Sequence, residues 1–161
     1  MPNISKILEI DNCNKDILTQ VIYYAEFWEK ITPAKSINAK FIAPNVLYSK
    51  IIDEINIINL KVETEGELVF TDKGEELGKG RVIEFNIRNN KEIRELEGRI
   101  RIKPLSPLKT KVGVFIETFS LEDNFLKLIG SAAEFILQSK ITEIMRNLEK
   151  YCKTSDLKDF L

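Results

Sequence analysis

The 161-residue chain contains no histidine, so the side chain that most often moves protons near neutral pH is absent. Ser–His–Asp and Cys–His nucleophilic mechanisms are excluded with it, as are nearly all imidazole-based zinc and non-haem iron sites. What remains for chemistry is carboxylate, Tyr, Lys, Arg and two cysteines. The carboxylates cluster as Asp53 and Glu54, as Glu63, Glu65 and Glu67, and as Glu95 and Glu97. Glutamates two residues apart share one face of a strand, which is how a solvated sheet face is built. These clusters are therefore expected at the surface rather than as acid–base pairs. The segment Gly74-Glu75-Glu76-Leu77-Gly78-Lys79-Gly80 is glycine-rich like a phosphate loop but lacks the GxxxxGK-S/T spacing, and its carboxylates would repel phosphate. It reads as a mobile connection. Cys13 and Cys152 have neither CxxC nor metal-ligand spacing, and no cofactor is implied.

Composition narrows the class. Lys and Arg total 24 against 25 Asp and Glu, a net charge of -1, so the excess positive charge used by nucleic-acid and polybasic membrane proteins is missing. The length fits one domain, 1–161, large enough to bury about 70% of its unfolded surface without staples. The longest apolar run, around Ile57-Ile58, falls far short of the ~20 residues of a membrane-spanning helix. Met1–Leu18 lacks the apolar stretch of a signal peptide, and a cytoplasmic protein is expected. The 23 Ile and 18 each of Lys and Glu, against 2 Gln, carry the Lys/Glu signature of a hyperthermophile.

The elements that must position these residues follow from periodicity. Ile4–Ile10 reads as a first strand, and Asn12 and Asn14 are N-cap types. Ile17, Val21, Tyr24 and Trp28 recur at helical spacing up to Pro33, with a break near Ala25 that makes two short helices. From Ser36 to Ser120 the pattern is strand-like: Ile37–Ile42, Val46–Ile58, Leu60–Thr71, Arg81–Arg88, Glu92–Lys103 and Lys111–Ser120. Connections this short require antiparallel neighbours. A helix capped by Asp123 or Asn124 runs to about Cys152. Its apolar residues occupy two faces: Phe125, Ile129, Ala132 and Ile136, then Leu137, Ile141, Ile144, Leu148 and Tyr151. The tail 154–161 is expected to fray. Phe115 and Phe119 alternate with Val112, Val114 and Ile116, which puts apolar groups on both faces of the last strand and suggests a homodimer, or a strand twist that turns one end inward.

The order of strand, two short helices, six antiparallel strands and long helix, with Phe27-Trp28-Glu29-Lys30-Ile31-Thr32-Pro33-Ala34-Lys35-Ser36-Ile37 leading into the second strand, resembles the START-like helix-grip superfamily. Pollen-allergen-type proteins, polyketide cyclases and START lipid-transfer domains share that architecture. Within it, the Ile/Lys/Glu-rich, histidine-free chain is most similar to a small family from thermoacidophilic archaea regarded as fatty-acid carriers. The resemblance implies an α+β fold, a seven-stranded curved antiparallel sheet wrapped around a long C-terminal helix. It also implies an apolar cavity between sheet and helix, and non-catalytic carriage of a long-chain fatty acid or similar hydrophobic ligand. A cyclase or dehydratase of the same fold and a co-chaperone-like interaction module are the alternatives. In this architecture Cys13 and Cys152 would lie near each other, as two reduced thiols or a disulfide.

A cavity for a fatty acid needs apolar walls and one polar anchor. Strand alternation puts Arg81 on the face of Ile83, Phe85 and Ile87, and Arg94 on that of Leu96, Gly98, Ile100 and Ile102. Either arginine could hold a carboxylate, with Tyr48 and Lys140 as further candidates. Phe85 is expected in the wall. On the helix, Gly130-Ser131-Ala132-Ala133 is a run of small residues that allows either close packing or room for a ligand, so Ile129, Ala132, Ala133 and Ile136 join the candidate lining. Phe27 and Trp28 are expected in the core.

Overall fold

The structure is a computed structural model that describes residues 4–55 and 60–161, the side chains of 55 and 60 excepted. The first strand, β1 (Ile4–Asp11), leads to α1 (Lys15–Val21) and α2 (Ala25–Ile31). Asn14 caps α1, its side chain accepting from the Asp16 and Ile17 amides at 2.9 and 3.1 Å. Six strands follow: β2 (Ser36–Ala43), β3 (Val46–Ile55), β4 (Leu60–Glu76), β5 (Gly80–Arg88), β6 (Ile93–Ser106) and β7 (Lys109–Leu121). The expected continuation of β3 to Ile58, including the Ile57-Ile58 run, lies outside the described residues. All neighbours are antiparallel, in the order β1-β7-β6-β5-β4-β3-β2. The first strand thus closes on the last and leaves β1 and β2 as edges. This is the expected α+β helix-grip fold, a curved seven-stranded sheet around a C-terminal helical segment.

Bulges change which residues face inward. Between β6 and β7 the register shifts at Ile93/Glu95 and again at Glu97/Gly98, which leaves Arg94 and then Glu117 as extra residues. An extra residue reverses the alternation beyond it. Ile93 and Leu96 therefore both face the interior, and Arg94 is turned out to solvent. On β7 the inward set passes from Ile116 to Phe119 and Leu121. The reading that put Phe115 and Phe119 on one outer face is corrected by this bulge. Phe115 remains outside, beneath the guanidinium groups of Arg99 and Arg101 at 5.8 and 4.6 Å, and the two-faced pattern no longer calls for a dimer. The glycine segment is also not a long loop. β4 and β5 pair through Glu76–Gly80 around a turn at 77–79, after a shift between Asp72 and Gly74.

The C-terminal segment is two helices rather than one. α3 (Asp123–Ile129) is separated from α4 (Ala133–Thr154) by a single 3-10 turn at Gly130–Ala132. Glu122, not Asp123 or Asn124, holds the N-cap position of α3. Gly130 ends α3 at φ 66° and ψ -144°, a backbone region open essentially to glycine alone. In α4, Ile141, Met145, Leu148 and Cys152 are buried at spacings of four, three and four, which gives the stripe that packs into the main core. Phe27, Leu18 and Ile31 bring α1 and α2 into the same core. The tail expected to fray instead makes a 3-10 turn at Leu157–Phe160. Leu157 is buried, and the Phe160 ring lies 5.7 Å from Phe27 and 5.0 Å from Tyr151.

Cys13 and Cys152 are both fully buried and reduced. Each thiol acts on the other's ionisation: the Cys13 pKa is lowered, chiefly by Cys152, and that of Cys152 raised, chiefly by Cys13, burial adding to the latter. Around them Thr110 Oγ1 donates to the Cys13 carbonyl at 2.6 Å and Asn12 Nδ2 to the Cys152 carbonyl at 2.8 Å. The first bond ties the chain just after β1 to β7, and the second ties it to the end of α4.

Candidate functional site

The main core fills one end of the grip. A second apolar cluster at the other end holds Leu121, Phe125 and Ile129, with Ile93, Phe119 and Ile136 packed against it. Between the two lies a cavity of about 320 Å³, within the size range of small-molecule sites, roughly 300–1,000 Å³. Its sheet wall is built by alternation: Leu47, Ser49, Ile51 and Asp53 from β3 face Val62, Thr64, Gly66 and Leu68 from β4. The odd-numbered set on β3 is inward, and the even-numbered set carries outer pairs such as Lys50–Glu63 and Lys35–Glu54. Ile87, Ile93, Leu96 and Phe119 continue the wall across β5, β6 and β7. Trp28, Thr32 and Pro33 close it from the end of α2, and Ala133, Ile136, Leu137, Lys140 and Ile144 from α4.

One ion pair stands in this apolar wall. Lys140 Nζ lies 2.5 Å from Asp53 Oδ2, and the two side chains are 27% and 16% exposed. Asp53 is brought there by strand alternation, Lys140 by helical spacing from Ala133, Ile136 and Ile144. Glu67 also borders the cavity. It pairs with Arg88 at 2.8 Å and accepts from Asn89 at 2.9 Å, and these two bonds, Asn89 first, hold its pKa below the usual carboxylate range. Asn90 supports the rim: its Oδ1 accepts from the Glu92 and Ile93 amides at 3.0 and 2.8 Å. Its amide nitrogen would lie 2.5 Å from a Cβ at Gly66, so that position has no room for a side chain.

The expected site residues divide. Ile129, Ala133 and Ile136 border the cavity, and Ala132 packs in the second cluster beside them. Phe85 is 8% exposed in the main core, outside the cavity lining. Arg81 is engaged by Asp72, its Nε 3.1 Å from both carboxylate oxygens and a terminal nitrogen 2.5 Å from Oδ2. This ion pair holds Asp72 below, and Arg81 above, their ordinary pKa values. Arg94 pairs with Glu122 and Asp123 at 3.5 and 3.3 Å. The Tyr48 hydroxyl donates to Glu65 on the outer face, and that bond raises the Tyr48 pKa. None of Arg81, Arg94 and Tyr48 borders the cavity. Trp28, expected as core, both stacks on Phe70 at 5.8 Å and borders the cavity. The residue overlooked is Asp53, grouped with the solvated acids although its parity with Leu47 and Ile51 places it inside.

No family model matches the chain, and no curated protein sequence matches it. Solved structures do. A START superfamily protein from Mycobacterium smegmatis aligns over 95% of this chain and 98% of its own, with a TM-score of 0.67 and 16% identity. A STAR-related lipid transfer protein from Xanthomonas axonopodis covers 93% and 85%, with a TM-score of 0.62 and 11% identity. An aromatase/cyclase from a Streptomyces species covers 98% and 92%, with a TM-score of 0.61 and 10% identity. At these identities the likeness is one of fold: the chain has the START-like helix-grip fold, a fold represented among both lipid-transfer proteins and cyclases. No helix among the described residues is long and apolar enough to cross a membrane.

Proposed function

We propose that this protein is a carrier that binds a long-chain hydrophobic molecule in the cavity between sheet and helices and leaves it chemically unchanged. The observation that carries this reading is a wall built mainly of Leu, Ile, Val, Phe and Trp, with the Asp53–Lys140 ion pair set into it. Transfer of an alkyl chain into such a space is worth about 0.8 kcal/mol for each methylene buried, so affinity should climb with chain length. The pair supplies the polar end with a fixed position. The similarity in composition to archaeal carriers suggests a fatty acid, but the Asp53–Lys140 pair leaves a carboxylate head group no unshared cation among the described lining residues. Native mass spectrometry of the purified protein should show co-purified long-chain lipid. An empty protein that also fails to bind added alkyl probes would rule the carrier out.

A second reading has one specific observation in its favour. Asp53 is a carboxylate bordering the cavity beside Lys140, and an acid–base group in that position is what a cyclase-like enzyme without histidine would need. Turnover of a polyketide-like substrate that is abolished by Asp53→Asn would establish that reading instead.

A further inference from the structure

The cavity is electrically balanced before any ligand enters it. The Lys140 ammonium is matched by Asp53 at 2.5 Å, and Glu67 is matched from outside the cavity by Arg88 at 2.8 Å. Among the described lining residues, Lys140 is the only cation. A carboxylate head group brought to Lys140 would have to share it with Asp53. Two negative charges and one positive would then sit among mostly apolar walls, where the unmatched charge loses hydration and finds no second cation, only neutral side chains such as Ser49 and Thr64. The expected arginine anchors do not relieve this, since Arg81 and Arg94 are taken up by Asp72 and by Glu122 and Asp123.

A hydroxyl group meets the same pair without that conflict. Its O–H can donate to an Asp53 carboxylate oxygen while its own oxygen accepts from Lys140 Nζ. The ammonium has three donors and the carboxylate about four lone-pair sites, so each has capacity left after bonding the other. Both new bonds are to charged groups, the stronger kind, and no charge is added. Resting on the reading of the cavity as a ligand site, we infer that its ligand is a long apolar molecule ending in an uncharged hydroxyl, of the long-chain alcohol class, and not a fatty-acid anion. Asp53 is then the residue that sets head-group specificity, and Lys140 the donor that completes the hydroxyl's bonds.

Displacement of a fluorescent alkyl probe by dodecanol and by dodecanoate at neutral pH tests this directly. Wild-type protein should bind the alcohol at least roughly ten-fold more tightly than the acid. Asp53→Asn replaces the carboxylate by an uncharged amide of the same shape and leaves Lys140 without its counter-charge, so the order should reverse in favour of dodecanoate. Tighter binding of dodecanoate by wild type would overturn the inference and leave the carrier reading standing. So would an order that Asp53→Asn does not change in folded protein. Failure of the probe, the alcohol and the acid all to bind would overturn the carrier reading and the inference together. The wild-type comparison is decisive without any variant.

Discussion

Lys140 and Asp53 are each sustained by the other. Removing one partner of a largely buried pair leaves a charge with little water and no counter-charge, whereas replacing both with apolar groups of similar size is often neutral. Lys140→Met should therefore destabilise the fold by about 2–3 kcal/mol, somewhat less than for a fully enclosed pair because Lys140 is 27% exposed. Asp53→Leu added to it should recover most of that loss, as read by urea denaturation. Asp72 is the other informative residue. Arg81 holds its pKa low in the folded state, so its contribution to stability is complete above the unfolded-state value. That contribution disappears as the pH falls through the folded-state value. Melting temperature should accordingly fall on the acid side of the ordinary carboxylate range, and Asp72→Asn should flatten that decline while lowering stability at neutral pH. Asp53 was legible in the sequence through its alternation with Leu47, Ser49 and Ile51. Its grouping with neighbouring acids obscured it, because a charge on an inward face is exceptional until its partner is seen. Arg81 and Arg94 misled for the converse reason: alternation places a side chain on a face but does not say which acid will take it up.

At the level of elements, the two bulges and the break at Gly130 separate the expected structure from the observed one. An uninterrupted alternation puts Arg94 inside and Phe119 outside. One extra residue on β6 and one on β7 exchange those assignments, bringing Phe119 into the cavity wall. Bulges leave little trace in local composition, since they are fixed by how two strands pair rather than by either strand alone. Gly130 had a visible signal in its residue type, but its consequence required the backbone angle. Nothing lies within 4 Å of a Cβ placed there, yet φ is +66°, so the cost of Gly130→Ala is conformational and not steric. It should amount to about 1–3 kcal/mol in thermal or chemical denaturation. Because Ile129 and Ala133 flank the break and border the cavity, the same variant should also change the rate of probe release in a stopped-flow measurement.

For the molecule as a whole, a cavity of about 320 Å³ is stability forgone, and a ligand that fills it should return some. A ligand at one hundred times its Kd adds about 2.7 kcal/mol to a fold that binds it only when native, so dodecanol should raise the melting temperature in a concentration-dependent way. Ala133→Phe, which projects a ring from α4 into that space, should abolish this shift and probe binding without lowering the melting temperature of the free protein. The sequence alone determined the order of elements, their antiparallel pairing, the two short helices and the exclusion of histidine chemistry. Each of these depends on residue type and local period, which a single chain displays directly. Which strand faces the bulges exchange, which acids neutralise which bases, and whether the interior is filled or hollow were decided only by tertiary structure. Those outcomes depend on how strands pair and on contacts between residues as far apart as Asp53 and Lys140, which local alternation does not specify.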